Sequence, residues 1–525
     1  MMADQIVLAG GGHSHALLLK RWAMNPSLRP SGLVTLISRN STTLYSGMVP
    51  GLISGHYSLQ EVEIDLRSLA DKSGVVFLVG EIIGLDMTLK KVLFANRPPI
   101  NFQILSLDIG AETKITSEFR NLSKSSEMMT IKPLEPALAW LNEQDKNGLS
   151  SESSPFMVVG AGLAGVELAI ALRYRWPSRH IFLQAFSGQP VKPIRKLLNA
   201  ASIELVPSGS VFNFPTLLCT GSKAPDWLAS SGLPVDFDGR IFTSDTLQVI
   251  GCPSVFAVGD CAIIKSNPRP PSGVWAVRAA RPLARNIENS SRGLPLKHWR
   301  PQKTALQLVG INQLNQKSTA WACFGQMKLG PHPFLWKVKK LIDRRFVESF
   351  SKLRSMDKAV QKEKLNMDCR GCAAKLPAKD LAIALQEAGM ESLAVEPQDA
   401  VQIATTKAGD YLLQSVDGFP AMVSDPWLNG RLIASHACSD LWASGARVLS
   451  AQAVVELPVV QKTVQQELLS QTLLGIKSIL ELQGAKLLGG HTLEARSEAP
   501  SPCSLGVQLS LTVNGSVDSS SVPWS

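Results

Sequence analysis

Two stretches constrain this chain most. They are Ile6-Val-Leu-Ala-Gly10-Gly11-Gly12-His13-Ser14-His15 and, about 150 residues later, Met157-Val-Val-Gly160-Ala-Gly162-Leu-Ala-Gly165-Val-Glu167. Each is an apolar run that feeds a glycine turn and then a helix-forming segment. Such a junction presents bare N–H groups and the positive end of a helix dipole to a phosphate, and glycine is needed where a Cβ would block the approach. The second stretch meets the full G-x-G-x-x-G pattern, whereas the first carries His15 in place of the third glycine. Neither following strand ends in the acid that would hold a ribose diol. Ser38-Arg39 stands there in the first case, and Ile181-Phe-Leu-Gln-Ala-Phe ends without it in the second. Arg175 and Arg179 lie just before that second strand, so NADP stays open beside NAD.

Around these turns, apolar runs at 6–8, 34–37, 75–79, 104–107, 157–159, 181–183 and 255–258 alternate with helical patterns. That alternation predicts parallel sheets covered by helices, with one nucleotide module nested in another. The length of 525 residues allows three to four modules at about 150 residues each. With 45% hydrophobic and 18% charged residues, whole-chain disorder, collagen and coiled coil are excluded. A formal charge of +10 is mild for this length and does not call for nucleic acid. No run of 18 apolar residues occurs, and the first strand begins too early for a cleaved leader, so a cytoplasmic protein is expected. Eight cysteines in so long a chain read as reduced thiols.

A third element gives the pair its meaning: Cys252-Pro-Ser-Val-Phe-Ala-Val-Gly259-Asp260-Cys261. A buried strand ending in Gly-Asp places a carboxylate where a ribityl chain or pyrophosphate waters can use it. In this order the chain resembles the two-dinucleotide-domain flavoproteins. Gly10 to His15 together with Tyr45-Ser-Gly-Met-Val-Pro-Gly51 is similar to the branch related to type II NADH dehydrogenases. The resemblance implies FAD on Gly10, Gly11, Gly12, His13, Ser14, Ser38, Arg39, Gly259 and Asp260, and NADH or NADPH on Gly160, Gly162, Gly165 and Glu167. Disulfide reductases of this fold carry a cysteine pair against the flavin, and here the first cysteine is Cys219. Hydride must then pass directly to a quinone or another small acceptor. The segment 334–350 sets Phe334, Val338, Leu341, Ile342 and Phe346 on one helical stripe among five basic residues. Such a helix either packs on its own domain or, as in type II dehydrogenases, makes peripheral membrane contact.

Between Phe350 and Asn366 a polar, Lys-rich stretch marks a domain boundary. Beyond it come Cys369-Arg-Gly-Cys372-Ala-Ala-Lys375, Asp399-Ala, a strand-like run ending in Val-Asp417, Ser-Asp440-Leu-Trp-Ala-Ser-Gly on a helical spacing, and a strand opening onto a glycine-rich turn at Gly489-Gly490-His491-Thr. The C-x-x-C lacks a second pair for zinc, and redox, structural and nucleophile readings stay open for it. Several acids at strand and helix ends with glycine-rich backbone suit Mg2+-nucleotide chemistry. Together these motifs resemble selenophosphate synthetase (selenide, water dikinase), of the fold shared with aminoimidazole ribonucleotide synthetase. The resemblance implies Cys372 as the selenium-handling nucleophile and Lys375 as the phosphate-contacting cation. It implies Asp399, Asp417 and Asp440 as metal ligands, and ATP and Mg2+ beside Gly489, Gly490 and His491. The implied reaction turns ATP, selenide and water into selenophosphate, AMP and phosphate. Only the N-terminal domain of that family is matched, so the nucleotide site is expected to be incomplete.

The expected architecture is therefore α/β, with two nested Rossmann-like FAD and NAD(P) domains in residues 1–350 and the NAD(P) module at about 152–250. A linker at 351–366 leads to an α+β N-terminal domain of the aminoimidazole ribonucleotide synthetase type in 367–525. The expected function is an FAD-dependent NAD(P)H oxidoreductase fused to a selenide, water dikinase domain. The competing expectation is a flavoprotein NADH dehydrogenase whose C-terminal part serves only for homodimerisation, as relatives of this fold dimerise through their N-terminal sheet.

Overall fold

A computed structural model describes residues 5–115, 128–148, 154–185, 192–207, 214–311, 317–325, 327–353, 377–390, 399–495 and 505–520. The first sheet has eight strands. Its parallel centre runs Cys252–Ala257, Ile104–Leu107, Gln5–Ala9, Leu33–Ser38 and Val76–Val79. Val7 pairs with Thr35 on one side and Leu105 on the other, so Gln5–Ala9 is buried along its whole length. Continuous apolar runs are what a strand covered on both faces requires. The helix His13–Met24 covers one face and buries Leu18, Leu19 and Trp22 completely. Full burial of such a side chain contributes roughly 1.5–3 kcal/mol. Directly against it packs the helix Gly273–Ser291, whose buried Glu288 accepts hydrogen bonds from Arg21 Nε at 2.9 Å and Trp22 Nε1 at 3.0 Å.

The nested sheet is smaller and wholly parallel, in the order Met128–Thr130, Thr216–Leu218, Phe156–Val159, Ile181–Gln184, Ile203–Val206. The expected end of this module near residue 250 is corrected. Strands Ile241–Thr243, Gln248–Val249 and Cys252–Ala257 pair within the first sheet, so the chain has already returned by about 224. Periodicity alone cannot tell which sheet a short strand joins. The passage between modules is stitched by Glu112–Thr113 pairing with Ser222–Lys223.

A three-stranded antiparallel sheet (Leu306–Ile311, Thr319–Phe324, Met327–His332) and the helix Pro333–Ser351 cap this unit. The helix stripe departs from expectation: Trp336, Lys339, Asp343, Val347 and Phe350 are buried, while Phe334, Leu341 and Ile342 face outward.

The last unit is a five-stranded sheet, ordered Val401–Thr405, Tyr411–Pro420, Gln508–Val517, Arg447–Leu457, Lys486–Glu494. Helices Pro426–Ala443 and Lys462–Glu481 cover it and touch through reciprocal glycines. A Cβ on Gly430 would lie 2.1 Å from Thr472 O, and one on Gly475 would lie 2.1 Å from Trp427 O. These helices also dock on the first unit. Arg97 grips Asp425 with two bonds of 2.8 and 3.1 Å, and their side chains are 3% and 8% exposed. Around this pair, Phe77 N donates to Ser424 Oγ, Asn101 Nδ2 to Glu467 Oε2, Gln471 Nε2 to Pro99 O and Gln5 Nε2 to Thr463 O.

Candidate functional site

The first glycine turn sits at the carboxyl end of Gln5–Ala9, where open parallel sheets bind ligands. Gly10 has φ +102°, and a Cβ there would lie 2.4 Å from Asp108 O. Gly12 begins the helix without a side-chain cap of its own. The cap comes instead from the next strand, since Asp108 Oδ2 accepts from Ser14 N at 2.8 Å and His15 N at 3.1 Å. Burial pushes the Asp108 carboxyl up to about 6, against the pull of those N–H groups and of His13. A Cβ on Gly12 would overlap this carboxylate at 2.3 Å, and one on Gly259 would meet Asp108 Oδ1 at 2.4 Å. Glycines at 12 and 259 therefore let the cradle and the Gly259-Asp260 turn close on Asp108. Sequence reasoning missed Asp108; its signal was an acid directly after an apolar strand and two residues before Gly110.

His15 has a structural explanation. In the second turn a Cβ on Gly165 would fall 1.7 Å from Gly160 O, which is why glycine is required there. In the first turn the imidazole at the matching place turns inward. Nδ1 lies 2.8 Å from Gly10 O and Nε2 lies 2.8 Å from Ser106 Oγ. Burial pulls His15 down to about 4, so it is neutral and donates one of those two bonds. The missing glycine is thus replaced by a hydrogen-bonded ring.

The remaining first-site residues converge on the same end of the sheet. Ser14 Oγ donates to Ala276 O, which brings in the start of the helix Gly273–Ser291. Ser38 Oγ lies beside Gly11, 2.8 Å from where its Cβ would be, whereas Arg39 is exposed and meets Glu81 at 3.5 Å. Asp260 pairs with Lys132 at 2.6 Å. His13 stacks edge-on to Tyr45, with ring centroids 5.6 Å apart, and its sealed Nε2 has no hydrogen-bond partner. Burial lowers its basicity although Asp108 and Asp260 oppose this. A glycine cradle at a helix start that admits no Cβ and an orphaned imidazole nitrogen fit an anionic dinucleotide such as FAD.

In the second cradle Gly160 has φ +115°, and Gly162 begins the helix Leu163–Arg175 without a side-chain cap. Glu167 on that helix accepts from Gly310 N at 2.8 Å, and burial raises it to about 7. Nearby, buried Lys339 holds Asp343 Oδ2 and Gly47 O, both at 2.8 Å. This joins the cap helix to the Tyr45–Gly47 loop of the first site. Arg175 and Arg179 both have protein partners. Arg175 grips Asp145 at 2.6 and 2.7 Å, and Arg179 is fully buried between Trp176 and Phe156. The Cys261 side chain is buried and that of Cys219 half-buried, and desolvation pushes both thiols up to about 12, so neither is a ready nucleophile.

In the last unit, Cys372 and Lys375 lie outside the described residues. Residues two apart on the strand Tyr411–Pro420 face residues four apart on the helix Pro426–Ala443. Ser415 Oγ donates to Asp440 Oδ2 at 2.8 Å, and Asp417 Oδ2 lies 2.7 Å from His436 Nδ1. Asp399 is exposed ahead of Val401–Thr405. Among the described residues no group of three or more His, Cys, Asp or Glu could hold a metal, so the three acids are not gathered here. The expected glycine-rich turn is corrected as well. Gly489, Gly490 and His491 lie inside the strand Lys486–Glu494, where a Cβ on Gly490 would strike Ala453 O at 1.8 Å.

Residues 397–517 match the family described as AIR synthase related protein, N-terminal domain. The NADH dehydrogenase-like protein YutJ of Bacillus subtilis (strain 168) is 26% identical over 327 residues, 57% of this chain and 87% of the relative. The selenide, water dikinase of Myxococcus xanthus (strain DK1622) is 35% identical over 136 residues, 24% of this chain. The match spans only 36% of that dikinase's own length. The crystal structure of the sulfide:quinone oxidoreductase from Aquifex aeolicus superposes with a TM-score of 0.54 at 15% identity, covering 71% of this chain and 100% of that one. The N-terminal part is thus similar to NADH dehydrogenase-like, FAD/NAD(P)-type oxidoreductases, and the C-terminal part matches the AIR synthase related N-terminal domain and is similar to selenide, water dikinases. Among the described residues no helix is long and apolar enough to cross a membrane.

Proposed function

We propose that an FAD/NAD(P)-type oxidoreductase joined to a selenide, water dikinase-like domain takes electrons from NADH or NADPH to a quinone or another small acceptor. The observation that carries this reading is the convergence of the first cradle, Asp108 and Gly259-Asp260 at one sheet end, with the second cradle helix directed through Glu167 at the cap. Bound FAD would supply hydride acceptance and onward electron transfer. Gly10, Gly11, Gly12, His13 and Ser14 would hold its pyrophosphate, Ser38 and Arg39 its adenosine end, and Asp260 its ribityl hydroxyls. Gly160, Gly162 and Gly165 would cradle the nicotinamide dinucleotide. Glu167, raised to about 7, can hold a proton on its carboxyl near neutral pH and exclude charge from the seam. Exposed Phe334, Leu341 and Ile342, with Arg344 and Arg345 beside them, suit peripheral membrane contact that would serve a lipid-soluble acceptor.

In the C-terminal domain, the likeness to selenide, water dikinases would put Mg2+ and ATP beside Asp399, Asp417 and Asp440, while in this fold His436 holds Asp417, Ser415 holds Asp440 and the three acids are not gathered. Cys372 and Lys375 would handle selenide and phosphate, and Gly489, Gly490 and His491 would lie along the nucleotide. The oxidoreductase would keep selenium reduced for this step. A second reading has its own support: the outer sheet face exposes Val416, Val454, Leu488 and Leu493, which suits a homodimer in which the domain only assembles the flavoprotein. Release of AMP from ATP in the presence of selenide separates the two, since an assembly module forms a dimer without turnover.

A further inference from the structure

The Gly259-Asp260 turn carries an acid at the end of a cradle that would receive a cofactor with an anionic pyrophosphate. Asp108 adds a second carboxyl close by, and His13 feels both. Unlike charges must offset this arrangement for an anion to bind. Lys132 supplies one. Its Nζ lies 2.6 Å from Asp260 Oδ2 and 3.4 Å from Ser222 Oγ. Lys132 belongs to neither cradle. It lies just past Met128–Thr130, at the entry to the nested module, and its main-chain N donates to Thr113 Oγ1 at 2.9 Å. Thr113 pairs with Ser222, so among the described residues the outgoing and the returning passage between the two modules meet at this lysine. The same crossing is tied a second time through Lys114, whose Nζ reaches Asp238 Oδ1 at 2.7 Å. Beside the crossing opens a cleft of about 520 Å3, lined by Ser222, Asp238, Arg240 and Arg269 among others.

We propose that Lys132 is a positioning residue of the flavin site: it offsets and orients Asp260 for the flavin while tying that acid to the hinge of the nicotinamide module. Flavin occupancy and the seating of the second module then share one ion pair. The inference rests on the first cradle being the flavin site, and the test keeps the two apart. Full-length protein stripped of flavin is titrated with FAD, following quenching of flavin fluorescence. Lys132→Met leaves Asp260 unpaired and is expected to weaken binding about tenfold or more, while Lys132→Arg stays within about threefold. Lys132→Gln, which keeps a hydrogen bond without the charge, falls between them and guards against a folding defect. In the double variant Lys132→Met/Asp260→Asn, much of the Lys132→Met loss is recovered, because no unpaired acid remains. The midpoint potential of the bound flavin falls in Lys132→Met, a shift that a merely structural lysine would not cause. Binding by Lys132→Met within about twofold of wild type, or a double variant at the product of the two single losses, overturns the inference. A wild-type chain that takes up no FAD overturns the site reading beneath it.

Discussion

Arg97→Ala tests whether the two halves are one structure. The Arg97–Asp425 pair is bidentate, nearly free of solvent, and flanked by Phe94 and Trp427 at 5.3 and 5.2 Å from the guanidinium. Breaking a buried pair from one side typically costs about 3–5 kcal/mol, because the remaining charge stays buried. Here Asp425 also caps its helix through Trp427 N and Leu428 N, so the abandoned carboxylate keeps two donors. The cost should therefore lie near the low end, roughly 3 kcal/mol. Asp425→Ala loses the cap as well, which adds about 1 kcal/mol. The double variant should match Asp425→Ala alone, giving a coupling equal to the Arg97→Ala loss, roughly 3 kcal/mol, in a denaturation cycle. Amide exchange should rise together in 91–94 and 426–443. Additive single losses, or unchanged exchange in both segments, would refute a docked interface.

Other consequences follow from the same contacts. Truncation after residue 353 should lower the melting temperature of the oxidoreductase, since Phe77 N, Asn101 and Pro99 O lose their partners; equal melting would count against the docking. His15→Gly restores the fingerprint but strips Gly10 O and Ser106 Oγ of a buried partner, so stability should fall by about 1–3 kcal/mol, read by denaturant titration. Glu167 is raised in the fold, so its contribution is complete below its unfolded value near 4.5 and is lost as pH rises through about 7. Glu167→Gln should flatten that decline, on the order of 3 kcal/mol, and a variant curve parallel to wild type would exclude the assignment. Asp260→Ala should lower flavin content at purification, measured by absorbance.

The two cradles were legible because glycine spacing reports a backbone demand that no other residue meets. The Gly259-Asp260 turn was legible for the same reason. Asp108 and Lys132 were not, because each acts on an element far away in sequence and neither stands in a repeated pattern. The helix Pro333–Ser351 misled: its apolar stripe and its buried face differ, since Lys339 and Asp343 neutralise each other inside. Gly490 read as a turn because glycine marks both turns and close backbone approach, and only the pairing with Ala453 decides between them. The acids Asp417 and Asp440 were placed on the correct strand and helix, but sequence spacing carries no sign of the His436 and Ser415 partners that hold them now.

The most direct test is the visible spectrum of the purified full-length protein, recorded without oxygen as NADH and then NADPH are added. The account predicts flavin bands that bleach with one equivalent of the preferred nucleotide and return when a quinone is supplied. A colourless protein, or bands unchanged by either nucleotide, would contradict it.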